Sequence, residues 1–474
     1  MQRRINIWSN IDWLAVTIYL VLVFLGWVNI YAAVYNEEHQ SIFDFSQRYG
    51  KQLVWVSAAL VIAFFVFIID INFYSYFAYL VYGILIFLLI AVLIFGREVH
   101  GAKSWFELGS FRIQPAEFAK IATALALARY LSTFNVQLNT MKAYVRVAAI
   151  ILIPALLIFL QNDTGSALVY FAFILVLYRE GLSASVLLLG LFIILLFVLA
   201  LVLEKLLIIL LSIGIVFIIF WFLNRKLKNT AVGFGILVIS VALLYGINEY
   251  FKLGLTYYYI ILAALGFSAF IYIILSIRYK VRNVILLLIF LLGSIVFTFS
   301  VDYVFNNFLG EHQQKRINVV LGLESDPYGV EYNVNQSKIA IGSGGFSGKG
   351  FLRGTQTKFD FVPEQSTDFI FCTIGEEWGF LGTFFVVGLF IFFLYRLIGI
   401  AERQRSSFSR IYGYGVVSVL FFHIVINIGM TIGLVPVIGI PLPFFSYGGS
   451  SLWAFTIMLF ILLRLDASRL ELLR

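Results

Sequence analysis

The sequence predicts an all-α polytopic integral membrane protein, and three observations lead to this fold class. Of the 474 residues, 62% are hydrophobic, 12% are charged and 50 are Phe, a balance typical of chains dissolved in lipid. Apolar runs of about 20 residues recur along the chain, which is the length that an α-helix needs to cross a bilayer. Because a lipid-embedded backbone must satisfy its own hydrogen bonds, these runs are expected to be helices.

The apolar runs predict about fourteen transmembrane segments within a single membrane domain over residues 1–474. We expect them at residues 11–34, 52–70, 73–95, 114–132, 147–161, 164–178, 182–203, 206–223, 230–248, 256–277, 283–305, 368–395, 411–435 and 449–464. The first run follows Arg3 and Arg4 but is too long for the apolar core of a signal peptide. It is interpreted as a retained first span.

The distribution of Lys and Arg predicts the orientation. If both termini are cytoplasmic, eighteen of these cations lie on the cytoplasmic side and seven lie in short loops on the other side. The seven are Arg48, Lys51, Arg97, Lys103, Arg112, Lys205 and Lys252. Since cytoplasmic loops carry the excess of cations, we expect a multi-pass protein of the cytoplasmic membrane. Residues 306–367 then form one large extracytoplasmic loop.

The long polar interval from about Gly322 to Gly379 is where chemistry that needs water and charge is expected. Its SGGFSGKG segment superficially resembles a nucleotide-binding P-loop. However, Ser343 stands where the first glycine is required, and Gly350 stands where Ser or Thr must bind magnesium. No strand is predicted before it, so we expect no nucleotide cofactor.

Other classes of function find little support in the composition. The net charge of +8 comes from cations in short turns between spans, not from a basic stripe with interleaved aromatic residues, so no nucleic-acid partner is expected. The single cysteine, Cys372, excludes an internal disulfide, and the four histidines are too dispersed for a zinc site. The carboxylates do not indicate a dedicated metal site.

Four segments, in order, carry a resemblance to a known family. They are GAKSWFELGSFRIQPAEFAKIA, QNDTGSALVY, SDPYGVEYNVNQSKIAIGSGGFSGKGFLRGTQTKFDFVPEQSTDFIF and NIGMTIGLVPVIGIPLPFFSYGGSSL. Together they resemble the SEDS family of bacterial cell-wall polymerases, and GTQTKFDFVPE is similar to its elongation branch. The resemblance covers residues 10–178 and 283–465. It implies a SEDS-type helical bundle of ten spans, to which about four helices at 182–282 are added as an insertion.

The resemblance implies a peptidoglycan glycosyltransferase that polymerises lipid II during cell elongation, in which it maintains cell shape, and releases undecaprenyl pyrophosphate. The transfer is expected to invert the sugar, with an Asp as general base. Implied partners are lipid II, undecaprenyl-linked glycan, a class B penicillin-binding protein, other elongation proteins and membrane lipid. A divalent cation, Mg²⁺ or Mn²⁺, is expected only to neutralise pyrophosphate. The alternatives are a flippase for the lipid-linked precursor or a scaffold of the elongation machinery.

Asp326 is the predicted catalytic base. It precedes Pro327, which disfavours a helical backbone at Asp326, and by itself the pair fits an ordinary Asp-Pro turn better than a catalytic role. The resemblance is what assigns it to catalysis.

Three further ionisable residues, two of them within the membrane, are predicted to bind substrate in an outward cavity. Glu117 and Lys120 lie three residues apart, so they share one face of a helix that begins near Pro115. Charges at this depth indicate either a polar cavity or a structural ion pair between helices. Asp163 fits either an N-cap or a third member of the same cavity.

The remaining predicted substrate-binding residues are polar or aromatic side chains on the outward side. Trp105 is expected to stack on sugar, although anchoring at the membrane interface is the alternative. Lys338 and Arg353 are expected to meet the diphosphate. Gln336 and Ser337 precede an expected turn at Ala340–Gly342 and complete the predicted set.

Overall fold

The protein is described from a computed structural model. The structure describes residues 7–35, 43–99, 101–109, 111–133, 138, 140–225, 227–281, 283–324, 326, 329, 331–359 and 361–469. Contacts divide the chain into two compact units, one comprising Met1–Leu187 with Ser325–Arg474 and the other Leu188–Glu324.

The first unit contains most of the helices and one small sheet. Its helices are α1 (Trp13–Ala33), α2 (Arg48–Ile68), α3 (Ile71–Tyr76), α4 (Ala78–Phe95), α5 (Pro115–Leu131), α6 (Met141–Leu160), α7 (Thr164–Leu168), α8 (Phe173–Arg179), α15 (Tyr332–Ser343), α16 (Thr355–Lys358), α17 (Ile370–Glu402), α18 (Ser407–Thr431) and α19 (Gly449–Ala467). Its strands are β1 (Arg97–Val99), β2 (Ala102–Leu108) and β3 (Phe111–Ile113).

The second unit is a helical bundle. It consists of most of α9 (Ala184–Val202) together with α10 (Lys205–Asn224), α11 (Leu227–Phe251), α12 (Tyr257–Tyr279), α13 (Val284–Asn307) and α14 (Glu311–Val320). The predicted segment 182–282 falls largely within it. That this segment is an insertion stays a prediction, because the compactness of a unit does not show how its segment arose. The single membrane domain over residues 1–474 also stays a prediction.

Helices lie at all fourteen positions where the apolar runs predict spans. Among the described residues, twelve helices are long and apolar enough to cross a membrane. The other two predicted positions hold α5, which has 17 residues, and the shorter apolar stretch Thr164–Arg179. The all-α membrane fold is therefore confirmed, whereas the number of spans stays a prediction.

The centre of the first unit is formed by helices with little exposed surface. In α19, 83% of the most apolar 18-residue window is buried, compared with 17% in α4. Helix α5 packs against α4 and α18, and α19 packs against α2. Because the outer helices expose apolar side chains on several faces, the bundle is suited to lipid and not to water.

An ion-pair network joins the ends of the first and last helices of this unit. Asp12, the N-cap of α1, accepts hydrogen bonds from Arg396 Nη2 at 2.7 Å and from Arg403 Nη2 at 2.8 Å. Arg403 Nε also donates to Asp466 of α19 at 2.8 Å. Burial raises the pKa of Asp12, but these bonds outweigh it and hold the pKa below its usual value. The network ties α1, α17 and α19 together.

Helix α17 is broken near its start. Gly379 has φ 63° and ψ −156°, so the helix ends and begins again at this residue. The glycine-rich segment fills the break: Gly350 N donates to Glu377 O at 2.9 Å, and Phe380 N donates to Gly345 O at 2.9 Å. A Cβ on Gly348 would lie 2.1 Å from Glu377 O, so only glycine fits there. The segment that resembled a P-loop therefore caps a broken helix.

The predicted loop at 306–367 contains helices α14, α15 and α16. The expected turn at Ala340–Gly342 is wrong, because these residues continue α15. A second difference is the three-stranded antiparallel sheet, with order β1-β2-β3, between α4 and α5. Sequence reasoning treated this region as a loop, although Gly101 and Gly109, both with positive φ, bound β2 as turn residues.

Candidate active site

A cavity of about 910 Å³ lies in the first unit. Its walls carry acidic side chains, cationic side chains and tryptophans. The acids are Glu107, Glu117, Asp163, Glu364 and Asp368, the cations are Arg48, Lys51 and Arg112, and the tryptophans are Trp55, Trp105 and Trp453. This volume is in the range of about 300–1,000 Å³ that ligand sites occupy. The chemistry of the lining fits a charged ligand that carries sugar rings.

The β-sheet forms one wall and positions Trp105, a predicted substrate-binding residue. Trp105 lies on β2, pairs across the sheet with Arg97 and lines the cavity. Glu107 on the same strand accepts hydrogen bonds from Arg97 and from Arg112 Nε, the latter at 3.0 Å. These two guanidinium groups lower the pKa of Glu107. Arg112 is therefore held at the cavity by a carboxylate that stays charged.

The predicted pair Glu117 and Lys120 occurs as a buried ion pair on α5. Lys120 Nζ donates to Glu117 Oε2 at 2.9 Å and to His423 Nε2 at 3.0 Å, and the Lys120 side chain is 0% exposed. His423 then carries its proton on Nδ1, which lies 3.2 Å from Pro441 O. Glu117 lines the cavity, whereas Lys120 lies behind it and joins α5 to α18.

Asp163 combines the two roles that the sequence left open. Its Oδ1 accepts a hydrogen bond from Ser166 N at 3.0 Å, as the N-cap of α7. Its Oδ2 accepts from Gln114 Nε2 at 2.7 Å, and both residues line the cavity. The carboxylate therefore starts a helix and faces the cavity at once.

Asp368 lies in the cavity wall just before α17, and sequence reasoning assigned it no chemistry. Burial raises its pKa to about 7, with smaller contributions from the neighbouring carboxyls of Glu364 and Asp163. Its backbone is held in place because Asn427 Nδ2 donates to Asp368 O at 2.9 Å. A carboxyl that titrates near neutral pH can take up or release a proton during a reaction.

Sequence reasoning also missed Arg48 and Lys51 as members of the site. Both belong to α2, far in the sequence from the polar interval, and both line the cavity. Arg48 Nη1 donates to Ser366 Oγ at 2.6 Å and lies 3.8 Å from Glu364 Oε2. Both belong to the seven cations predicted on the outward side, and this was the signal in the sequence that could have identified them as members of the site.

The SYGGSS segment before α19 closes another side of the cavity. Ser446 Oγ donates to Thr367 O at 2.6 Å, and Tyr447 N donates to Ser366 O at 2.8 Å. A Cβ on Gly449 would lie 3.1 Å from the Trp55 ring, so a small residue lets this ring lie against the helix end. These contacts hold residues 366–368 against the start of α19.

The structure does not place Asp326 among the residues that line this cavity. Asp326 is half-buried before α15, and its backbone carbonyl accepts hydrogen bonds from Gly329 N and Glu331 N, each at 3.2 Å. Its carboxylate lies against Gly329, where an added Cβ would meet Oδ2 at 2.3 Å. Pro327 lies outside the described residues. The role of Asp326 as general base stays a prediction.

The other predicted substrate-binding residues also lie away from the cavity lining. Ser337 is buried on α15 and donates to Thr431 O at 2.9 Å, and Gln336 beside it is half-buried. Lys338 is exposed and lies against Gly433, whose Cβ would be 2.7 Å from Nζ. Arg353 is exposed after the glycine-rich segment. Their roles in binding substrate stay predictions.

Glu376 of α17 is bound by the glycine-rich segment and by the GTQT segment that follows it. Lys349 Nζ donates to Glu376 Oε1 at 2.7 Å, and Thr357 donates to Oε2 at 2.9 Å through both N and Oγ1. The GTQT segment therefore closes over a buried carboxylate of α17.

Among the described residues, no group of three or more His, Cys, Asp or Glu side chains could hold a metal ion. The carboxylates of the cavity wall therefore do not form a ready metal site.

A family model matches most of the chain, over residues 12–246 and 212–471. Its description is the FtsW/RodA/SpoVE cell cycle proteins. The chain belongs to the FtsW/RodA/SpoVE family. This membership confirms the family that the four sequence segments predicted.

Curated relatives in the family carry glycosyltransferase names. Peptidoglycan glycosyltransferase RodA of Treponema pallidum (strain Nichols) is 35% identical over 478 residues, covering 98% of this chain and all of the relative. Peptidoglycan glycosyltransferase MrdB of Escherichia coli (strain K12) is 31% identical over 372 residues, covering 78% of this chain and 72% of the relative.

Two solved structures share the fold. A chain of a peptidoglycan synthase complex, described as coordinating polymerisation and crosslinking, matches with a TM-score of 0.63 at 25% identity, covering 97% of this chain and 98% of that chain. The crystal structure of Thermus thermophilus RodA matches with a TM-score of 0.55 at 23% identity, covering 97% of each chain. The second likeness concerns the fold alone.

Proposed function

We propose that this protein is a peptidoglycan glycosyltransferase that polymerises lipid II into glycan strands during cell elongation. Its relatives bear that name, and two of them are RodA and MrdB. The observation that carries the proposal is the cavity of the first unit, which gathers three cations, five acids and three tryptophans in a chain with 12% charged residues.

The proposed reaction is an inverting sugar transfer. The acceptor hydroxyl oxygen forms a bond to the anomeric carbon of the donor sugar, and the bond from that carbon to the pyrophosphate oxygen breaks. A carboxylate takes the hydroxyl proton, and undecaprenyl pyrophosphate leaves with the bonding electrons. The chain must therefore supply a base, positive charge for the leaving group and surfaces that orient two sugars.

The residues of the cavity match these three requirements. Arg48, Lys51 and Arg112 supply positive charge for the pyrophosphate. Trp105 and Trp55 offer aromatic faces to sugar rings. A divalent cation, Mg²⁺ or Mn²⁺, is proposed only as a counter-ion of the pyrophosphate, since the described carboxylates form no dedicated site for one.

Two aspartates are candidates for the base. Asp326 is the base that the resemblance to the family implies. Asp368 is the candidate that geometry supports, because it lines the cavity and its pKa is raised to about 7. At pH 7.5 a large fraction of such a carboxyl is ionised and still basic enough to accept a proton.

The proposed setting is the cytoplasmic membrane, with both termini inside and the cavity outside. Three of the seven predicted outward cations line the cavity, in agreement with this orientation. The proposed partner is a class B penicillin-binding protein that crosslinks the strands, as a solved relative belongs to a complex that couples polymerisation and crosslinking. Other elongation proteins and membrane lipid complete the proposed surroundings.

The test uses purified full-length protein with lipid II, with and without the partner transpeptidase, and measures glycan length on gels. We expect polymer from the wild type and a loss of at least tenfold in the variant of the residue that serves as base, Asp326→Asn or Asp368→Asn. Glu204→Gln, an exposed acid of the second unit, is the control and should retain activity.

Absence of polymer from the wild type with its partner would contradict the proposed activity. Full activity of both aspartate variants would leave the proposed glycosyltransferase activity standing but would show that neither Asp326 nor Asp368 is the base. A parallel assay with EDTA tests the divalent cation: a rate that falls with EDTA and returns with Mg²⁺ would establish that the reaction needs one.

A further inference from the structure

A second cavity, of about 1,030 Å³, lies wholly within the second unit. Helices α10, α11, α12 and α13 line it, mainly with Leu, Ile, Val and Phe side chains. Its volume is at the upper end of the range of ligand sites, about 300–1,000 Å³. None of its lining residues belongs to the candidate active site.

The cavity opens onto the outer surface of the bundle. Three of its lining residues, Val232, Ile285 and Leu292, are 51%, 50% and 63% exposed. They belong to helices that are apolar and long enough to cross a membrane. A ligand that enters between them comes from the bilayer, so an acyl chain fits this opening and a water-soluble molecule does not.

One end of the cavity is polar and cationic. Lys228 and Asn229, near the start of α11, line it there together with Ser276 and Tyr279 at the end of α12. Ser276 Oγ is already used, because it donates to Val281 O at 3.0 Å. Arg225, Arg278 and Lys280 lie at the same helix ends.

No acid of this unit neutralises Lys228. Residues 206–301 contain a single acidic residue, Glu249. Glu249 lies near the opposite end of α11, 21 residues from Lys228, which is roughly 30 Å along a helix. Among the described residues, no carboxylate forms an ion pair with Lys228. The cationic end therefore lacks an anion that the unit itself can supply.

We propose that the second unit binds an anionic phospholipid, with an acyl chain in this cavity and the phosphate at Lys228. The apolar walls require a hydrocarbon chain, and the unpaired cations require a negative head group. Basic pockets between transmembrane helices on the cytoplasmic side bind such head groups, and this end is the one predicted to be cytoplasmic. The acyl chain of a zwitterionic lipid would also fill the apolar cavity, but its head group would leave the net positive charge around Lys228 unneutralised.

The test measures lipid binding to the purified full-length protein by native mass spectrometry. The probes are phosphatidylglycerol and phosphatidylcholine with identical acyl chains, and glycerol phosphate as a competitor that lacks a chain. We expect the wild type to retain one phosphatidylglycerol more tightly than phosphatidylcholine, and glycerol phosphate to displace neither.

Two pairs of variants separate the acyl chain from the phosphate. Gly266 lines the cavity, and a Cβ added to it meets no atom within 4 Å, so Gly266→Leu introduces a side chain into the cavity wall without a backbone clash at Cβ. We expect it to lose both lipids. Gly246→Leu is the matched control, because Gly246 is equally unobstructed but does not line the cavity.

Lys228→Ala should bind phosphatidylglycerol about fivefold more weakly and phosphatidylcholine unchanged, since one juxtamembrane cation contributes that much. Lys252→Ala, an exposed lysine just after α11, is its control and should keep the wild-type preference. Equal retention of the two lipids by the wild type, or unchanged binding in both Gly266→Leu and Lys228→Ala, would overturn the proposal. Displacement by glycerol phosphate would overturn the requirement for an acyl chain.

Discussion

Asp368 and Asp326 show how position decides the chemistry of one residue type. Asp326 is half-buried beside Gly329, outside the cavity lining. Asp368 lies in the cavity wall, where burial and two other carboxyls raise its pKa to about 7. Near neutral pH the Asp368 carboxyl is therefore close to half-ionised, because burial disfavours its charged form.

The raised pKa of Asp368 predicts a pH dependence. If its carboxylate accepts the proton, the rate of lipid II polymerisation rises with pH and its rising limb has its midpoint near pH 7. The pH–rate profile of Asp368→Asn should lack this rising limb, and its rate at pH 7.5 should be at least tenfold lower than that of the wild type. A pH–rate profile of both proteins checks this. The same limb in Asp368→Asn would assign the titration to another group.

The raised pKa also affects stability, with a defined sign. The folded protein holds the proton of Asp368 more tightly than the unfolded chain, whose Asp titrates near 3.9. Stability from this group is therefore greatest below about pH 4 and falls as pH rises towards 7. Thermal unfolding in detergent should show this: the unfolding temperature of Asp368→Asn, measured relative to that of the wild type, should be higher at pH 8 than at pH 4.

Lys120 is predicted to be essential for folding as well as for the shape of the site. Lys120→Met leaves Glu117 buried without its partner, a change that costs about 3–5 kcal/mol in comparable buried pairs. Membrane levels and the unfolding temperature should fall sharply. The double variant Glu117→Gln/Lys120→Met should recover part of the loss. A normal protein level in Lys120→Met, with activity alone reduced, would indicate a role in substrate binding.

At the scale of elements, the break in α17 explains the glycines of the polar interval. Two chain segments pass so closely at the break that a side chain on Gly348 or Gly379 would meet backbone atoms. Sequence reasoning noticed the glycines and rejected a nucleotide site correctly on spacing. It could not find their purpose, because their partners, Glu377 and Phe380, lie about 30 residues away along the chain.

Gly379→Ala is predicted to destabilise the protein by about 1–3 kcal/mol, because its φ is +63° and its Cβ would lie 2.3 Å from Gly348 N. Gly388→Ala on the same helix is the control, since a Cβ there meets no atom within 4 Å. Unfolding in detergent should separate the two variants. Equal stability would show that the break relaxes without cost.

At the scale of the whole molecule, the apolar runs located every long helix of the described residues, because crossing a membrane requires about 20 apolar residues whatever the neighbours are. The partners of polar residues were harder to predict. Glu117 and Lys120 were paired correctly, since helical spacing places them together, but His423 joins them from 303 residues away. Arg48, Lys51 and Asp368 reach the cavity only through the packing of α2 and α17, which no local pattern encodes.

The orientation of the protein is testable through its lone cysteine, which is buried. In a Cys372→Ala background, a cysteine at exposed Lys252 should react with an impermeant maleimide added to intact cells, and one at exposed Arg405 should not. Permeabilised cells should show both reactions. Labelling of Arg405→Cys in intact cells would reverse the predicted topology.

The ion-pair network at Asp12 sets an order of events during synthesis on the ribosome. Asp12 is made near the beginning and meets Arg396 only 384 residues later, and Asp466 follows at the very end. At roughly 5–20 residues per second, Arg396 and Arg403, the counter-charges of Asp12, are made about 20–80 s after it. Until then the first helix is held in the bilayer by its own hydrophobicity, without the ion pairs that join it to α17.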